Sequence, residues 1–164
     1  MKGLIIMFRD NINMFIGEQG LTQKEVADRL GESRQLFHKQ LSKNLWALPT
    51  LKRLFTTILE DECQIGFEDK TTRELKITED INELMGKGKL NKAQMAESIG
   101  VQRQKFYTKV KAHRFRKDEL IRIAEMLGYT LVMCNSEGEI VYRFNGTDLG
   151  ISIEEKHRQD AGEA

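Results

Sequence analysis

Two Arg-Gln pairs, Arg34-Gln35 and Arg103-Gln104, stand 69 positions apart in a chain of 164 residues. A guanidinium can make two hydrogen bonds to guanine O6 and N7, and a carboxamide can do the same to adenine N6 and N7, so a base-reading chemistry is available to both pairs. The charge around them is segregated. From Ser33 to Leu59 there is no acidic residue against Arg34, Lys39, Lys43, Lys52 and Arg53. From Val101 to Lys117 there is again none, against Arg103, Lys105, Lys109, Lys111, Arg114, Arg116 and Lys117. The formal net charge is only +1, from 26 Lys and Arg against 25 Asp and Glu. Its distribution still makes two cationic faces, the footprint of a surface for a polyanion. The plainer alternative is a pair of solvated helix faces balanced by the acidic stretch 60–74.

Other chemistry has little to stand on. His38, His113 and His157 are scattered, no nucleophile elbow or glycine-rich phosphate loop is present, and Gly86-Lys-Gly88-Lys reads as a turn. Cys63 and Cys134 lie far apart without a CxxC spacing or a nearby histidine, so reduced thiols are expected rather than a disulfide framework or a zinc site. No catalytic residue, metal or cofactor is expected, and the chain does not read as an enzyme. With 40% hydrophobic and 31% charged residues the composition is that of a globular protein. The apolar run Leu4 to Phe8 is shorter than a secretory core or a spanning helix. The expectation is a cytoplasmic protein with no membrane partner.

The elements that must position the Arg-Gln pairs follow from an internal repeat. At an offset of 69 without a gap, Ile12, Asn13, Gly17, Leu21, Ala27, Gly31, Arg34, Gln35, Phe37, Leu51 and Arg53 meet identical residues. Apolar character also recurs: Phe8 with Ile77, Phe15 with Leu84, Val26 with Met95, Leu30 with Ile99, Leu41 with Val110, Trp46 with Phe115 and Leu54 with Ile123. The apolar residues fall at helical spacing, as at Ile77, Ile81, Leu84 and Met85. The sequences Thr22-Gln-Lys-Glu25 and Thr71-Thr-Arg-Glu74 read as capping boxes at helix starts, Ser33 as an N-cap, and Pro49 as a first-turn proline. Gly31, Gly100 and Gly128 suit left-handed helix ends. Each copy therefore predicts four short helices, with Phe37, Phe106, Trp46 and Phe115 in the core. After the second copy the pattern alternates over Tyr129 to Cys134 and Ile140 to Phe144 around the turn Asn135-Ser-Glu-Gly138, which predicts a hairpin. The chain divides into a first helical domain 1–65, a connector 66–75, a second domain 76–128, a hairpin 129–146 and a flexible tail 147–164.

Within each copy, Thr22-Gln23, Ala27, Leu30-Gly31 and Ser33-Arg34, and more loosely Asn91-Lys92, Ala96, Ile99-Gly100 and Gln102-Arg103, resemble the lambda-repressor-like (Cro/repressor, Xre-type) helix-turn-helix family. The resemblance implies a mainly α fold of two tandem helix-turn-helix domains with a C-terminal β-hairpin. It also implies a sequence-specific double-stranded DNA-binding regulator, a repressor, whose second motif helix lies in the major groove. Carried onto this chain, Arg34, Gln35, His38 and Lys39, and Arg103, Gln104, Tyr107 and Thr108, face DNA beside Ser33 and Gln102. Gln23 and Lys92, with Lys43 and Lys111, are placed on phosphates. Glu32 departs from the family's apolar position after the turn glycine, whereas Val101 keeps it.

A rival from another class is an interaction protein of a phage or mobile element, such as an inhibitor of CRISPR nucleases, with one helix-turn-helix domain for autoregulation and the rest for a protein target. The hairpin leaves a second matter open. Ile140, Tyr142 and Phe144 alternate to one face, which must be covered either by the chain's helices or by the hairpin of a second copy in a homodimer. On the dimer reading, a chain cut after Gly128 folds as a monomer.

Overall fold

A computed structural model describes residues 6–43, 46–85 and 91–149. The predicted turn Gly86 to Lys89 and residues 150–164 of the predicted tail lie outside the described residues, while the tail's first residues, 147–149, belong instead to a 3-10 turn in which Asp148 and Leu149 are buried. The described chain is mainly helical with one small antiparallel sheet. The first copy gives α1 (Phe8–Glu18), α2 (Gln23–Leu30), α3 (Arg34–Leu41) and α4 (Leu48–Leu59), followed by β1 (Gln64–Asp69) and β2 (Leu75–Lys76). The second gives α5 (Asn82–Met85), α6 (Lys92–Ser98), α7 (Arg103–Ala112) and α8 (Lys117–Leu127), then β3 (Tyr129–Cys134) and β4 (Ile140–Arg143), closed by a 3-10 turn at Gly146–Leu149. No helix among the described residues is long and apolar enough to cross a membrane.

The helix boundaries follow from local chemistry. Thr22 accepts the Glu25 amide at 3.1 Å while Glu25 accepts the Thr22 amide at 3.2 Å, and Asn91 and Gln94 make the same reciprocal pair at the start of α6. α2 ends at Gly31 with φ +72°, and Gly100 has the same φ after α6. The two ends match bond for bond. Gly31 and Glu32 donate to Asp28 and Ala27, and Gly100 and Val101 donate to Glu97 and Ala96. Phe37, Leu41, Phe106 and Val110 are buried, as are Trp46 and Phe115.

Three expectations are corrected. The connector assigned to 66–75 contains most of β1, an inner strand whose Ile65 and Phe67 are buried. Glu68 can be buried there because Arg143 Nε donates to it at 2.8 Å. Thr71-Thr-Arg-Glu74 starts no helix. Asp69 Oδ1 accepts the Thr71 and Thr72 amides at 2.8 and 3.0 Å, and Arg73, at φ +64°, closes the β1–β2 turn. Ile77 is 42% exposed instead of matching buried Phe8, because the chain after β2 is irregular and α5 begins only at Asn82, whose amide Asp80 accepts at 3.0 Å.

The sheet runs β2-β1-β3-β4, all antiparallel. β1 pairs with β3 from Gln64↔Cys134 to Asp69↔Tyr129, so the predicted hairpin β3–β4 is one half of a larger sheet. Its aromatic row is covered within the chain. Tyr142 packs on Phe15 and Phe55 with ring centroids at 5.7 and 5.1 Å, and Phe144 packs on Phe55 and Phe8 at 5.9 and 6.5 Å. A second copy is therefore not needed to bury it.

Candidate nucleic-acid interface

The helix pairs α2–α3 and α6–α7 are held by one packing scheme. Ala27 and Ala96 are fully or almost fully buried, so the crossing helices approach closely, and Phe37 and Phe106 anchor the inner side of α3 and α7. The outer side is then forced to face solvent by helical periodicity. Ser33 Oγ accepts the Leu36 amide at 3.1 Å and is occupied as the cap of α3. Gln102 holds the same place on α7 but makes no side-chain cap bond.

Arg34, Gln35, His38 and Lys39 on α3 are exposed, and so are Arg103, Gln104, Tyr107 and Thr108 on α7. Lys43 and Lys111 are exposed beyond the helix centres. Thr108 Oγ1 donates to the Gln104 carbonyl at 3.1 Å, which ties that hydroxyl to its own helix. Gln23 and Lys92 are half-buried at the first positions of α2 and α6, and Gln23 Nε2 donates to Asn13 Oδ1 on α1. Gln23, Arg34, Gln35 and His38 line a shallow depression of about 340 Å³, so the start of α2 and the first turns of α3 form one surface. Leu36, 44% exposed on α3, lies outside the predicted set. Its signal is an apolar residue directly after the Arg34-Gln35 pair and one position before Phe37.

The cationic faces are thinner than the sequence suggests. Lys117 is completely buried. Lys109 pairs with Glu119 at 3.1 Å and Arg116 with Asp118 at 3.2 Å. Lys52 pairs with Glu79 at 2.6 Å, and Arg53 donates to the Leu30 carbonyl at 3.1 Å, fastening α4 to the end of α2. Asp118 and Glu119 begin just past the acid-free stretch and fold back onto it. Arg34, Lys39 and Lys43 in the first copy, and Arg103, Lys105, Lys111 and Arg114 in the second, stay exposed.

The chemistry this leaves is that of paired donors on two projecting helices, flanked by exposed cations that form no ion pair among the described residues. The thiols offer no competing site. Cys63 is buried, which pushes its thiol up to about 11, and burial raises Cys134 as well, so both stay protonated and weakly nucleophilic near neutral pH. Among the described residues no group of three His, Cys, Asp or Glu side chains is disposed to hold a metal ion. Comparison with protein-family models, with curated proteins and with solved structures finds no match to this chain in any of the three.

Proposed function

We propose that the chain is a sequence-specific double-stranded DNA-binding regulator, a repressor, in which α2–α3 and α6–α7 are helix-turn-helix motifs and α3 and α7 enter the major groove. One observation carries the proposal. The same Arg-Gln pair sits exposed in the first turn of both α3 and α7, each helix anchored from behind by the equivalent phenylalanine and preceded by the same glycine turn. Two independent occurrences of a bidentate pair on a projecting first turn favour base reading over simple solvation. The exposed lysines and arginines supply phosphate contacts, which position the helices without selecting sequence.

Selection of binding sites from random duplex DNA with the full chain tests this directly. An enriched sequence is expected, and no enrichment would remove the function. On the selected duplex, Arg34→Ala, Gln35→Ala, Arg103→Ala or Gln104→Ala is expected to cost about 1–3 kcal/mol and to change random-duplex binding little. Lys43→Ala and Lys111→Ala weaken both duplexes alike. Equal losses on selected and random DNA for the Arg and Gln variants would take them off the reading surface.

A further inference from the structure

We propose that an internal two-fold axis relates the two copies, so that one chain occupies a whole DNA site and reads it as an inverted repeat with two unlike halves. The inference rests on the DNA-binding reading above and adds to it the symmetry of the site and the number of chains on it.

Two separate places show a local two-fold pairing of the copies. In the helical layer, Ala47 and Arg116 form an antiparallel bridge just before α4 and α8, and they are 69 positions apart, the offset of the repeat. Where a residue pairs antiparallel with its own counterpart, a local two-fold axis passes between the two. Copies arranged head to tail would bring unlike positions together there.

The second place is the sheet. Phe67↔Lys76 in the first hairpin corresponds to Met133↔Tyr142 in the second, an offset of 66, whereas the neighbouring pair Glu68↔Leu75 has no such counterpart because a bulge pairs Cys134 with Ile140. The three-position difference lies in the links, since residues 60–63 separate α4 from β1 and Gly128 alone separates α8 from β3. At this offset the counterpart of Gly66 is Val132, and Gly66 pairs with Val132. Ile65 pairs with Met133 and Phe67 with Leu131, the reciprocal exchange that a two-fold axis requires. The strand order β2-β1-β3-β4 has the same form from either edge, each hairpin giving its first strand to the centre.

Two consequences follow for recognition. Helices related by a two-fold axis present their reading turns to duplex DNA in opposite senses, which matches half-sites of opposite orientation and not a direct repeat. The halves also differ, which a dimer of identical chains would not impose. Arg34 and Gln35 have identical counterparts, but Leu36 faces Lys105, His38 faces Tyr107 and Lys39 faces Thr108 across the repeat. The half-sites therefore share the bases read by the Arg-Gln pair and diverge beside them. Exposed Leu36 suits a thymine methyl, whereas Lys105 suits a phosphate or guanine edge.

The test uses the full chain and the duplex it selects. Native mass spectrometry is expected to give one chain per duplex, and the selected site is expected to be an imperfect inverted repeat. Turning one half-site around in place is expected to weaken binding about 100-fold or more, because the second helix then loses its tethered contact. A chain carrying Leu36→Lys, His38→Tyr and Lys39→Thr, all at exposed positions, is expected to shift selection to a perfect palindrome. A selected direct repeat, a lone half-site, or two chains on one inverted repeat would overturn this proposal and leave the DNA reading standing. Absence of any selected duplex would overturn both.

Discussion

A chain ending at Gly128 is expected to have no cooperative unfolding transition. The cut removes Tyr129, Leu131, Val132, Met133, Cys134, Phe144 and Leu149, all buried, and leaves β1 with only the two-residue β2 beside it. Each large apolar side chain taken from the core forfeits about 1.5–3 kcal/mol, and together they approach the whole stability of about 5–15 kcal/mol of an ordinary domain. The expectation of a folded, monomeric truncation assumed a hairpin appended to finished helices. In the structure β3 is an inner strand, and Phe144 completes the packing of Phe8 and Phe55. Urea denaturation followed by circular dichroism decides it. A sigmoidal transition for residues 1–128 would show that the helices fold without the sheet.

Asp148→Ala is expected to cost about 3–5 kcal/mol in urea denaturation, because it removes the acceptor of three hydrogen bonds at a buried site and each donor left unsatisfied costs about 1–3 kcal/mol. Asp148 is completely buried and accepts Asn11 Nδ2 and Tyr142 Oη at 2.8 Å and the Asn145 amide at 2.9 Å. Lys117, also buried, donates to the Asp148 carbonyl and lies 4.3 Å from the centre of the Phe8 ring. This cluster ties α1, α8, β4 and the 3-10 turn together. Burial lowers Lys117 to about 8 against the opposing pull of Asp148 and Asp118. The unfolded lysine, at 10.5, binds more protons than the folded one between about pH 8 and 10.5. This group therefore adds stability as pH rises through that window, by up to about 1.4 kcal/mol per unit, and the gain is lost as pH falls through 8. Tyr142 and Cys63 are raised by burial and work in the opposite direction as their unfolded forms ionise, near 10 and 9. The comparison with Lys117→Met isolates the lysine. From pH 8 to 9.5 the unmodified chain is expected to gain on that variant, and parallel curves would mean that Lys117 is not buried as a cation.

The helical half of the fold was legible because its signals are local. Reciprocal caps at Thr22 and Glu25, glycines at positive φ, and apolar spacing repeated at a fixed offset act within a few residues of one another. The sheet was not legible for the opposite reason. β1 reads Gln-Ile-Gly-Phe-Glu-Asp, acidic and interrupted by glycine, and its partner lies about 65 residues onward. Its acids are buried only because Arg143 and the turn amides satisfy them, and Thr71–Glu74 imitates a helix start while Asp69 takes the amides that would begin one. At the interface, exposure of the Arg-Gln pairs followed from helical period once Phe37 and Phe106 were placed inside. The strength of the cationic faces did not, since a count of lysines cannot tell Lys105, which is exposed, from Lys117, which is buried.

The salt dependence of duplex binding by the full chain tests the central claim most directly. Fluorescence anisotropy of a labelled selected duplex, followed from low to moderate salt, gives the slope of log affinity against log salt concentration. Arg34, Lys39, Lys43, Arg103, Lys105, Lys111 and Arg114 are exposed cations on and beside α3 and α7. If both helices engage, a slope of about −4 to −6 is expected, and Lys43→Ala or Lys111→Ala should each reduce it by about 1. A slope near zero, or no binding at low salt, would contradict the account.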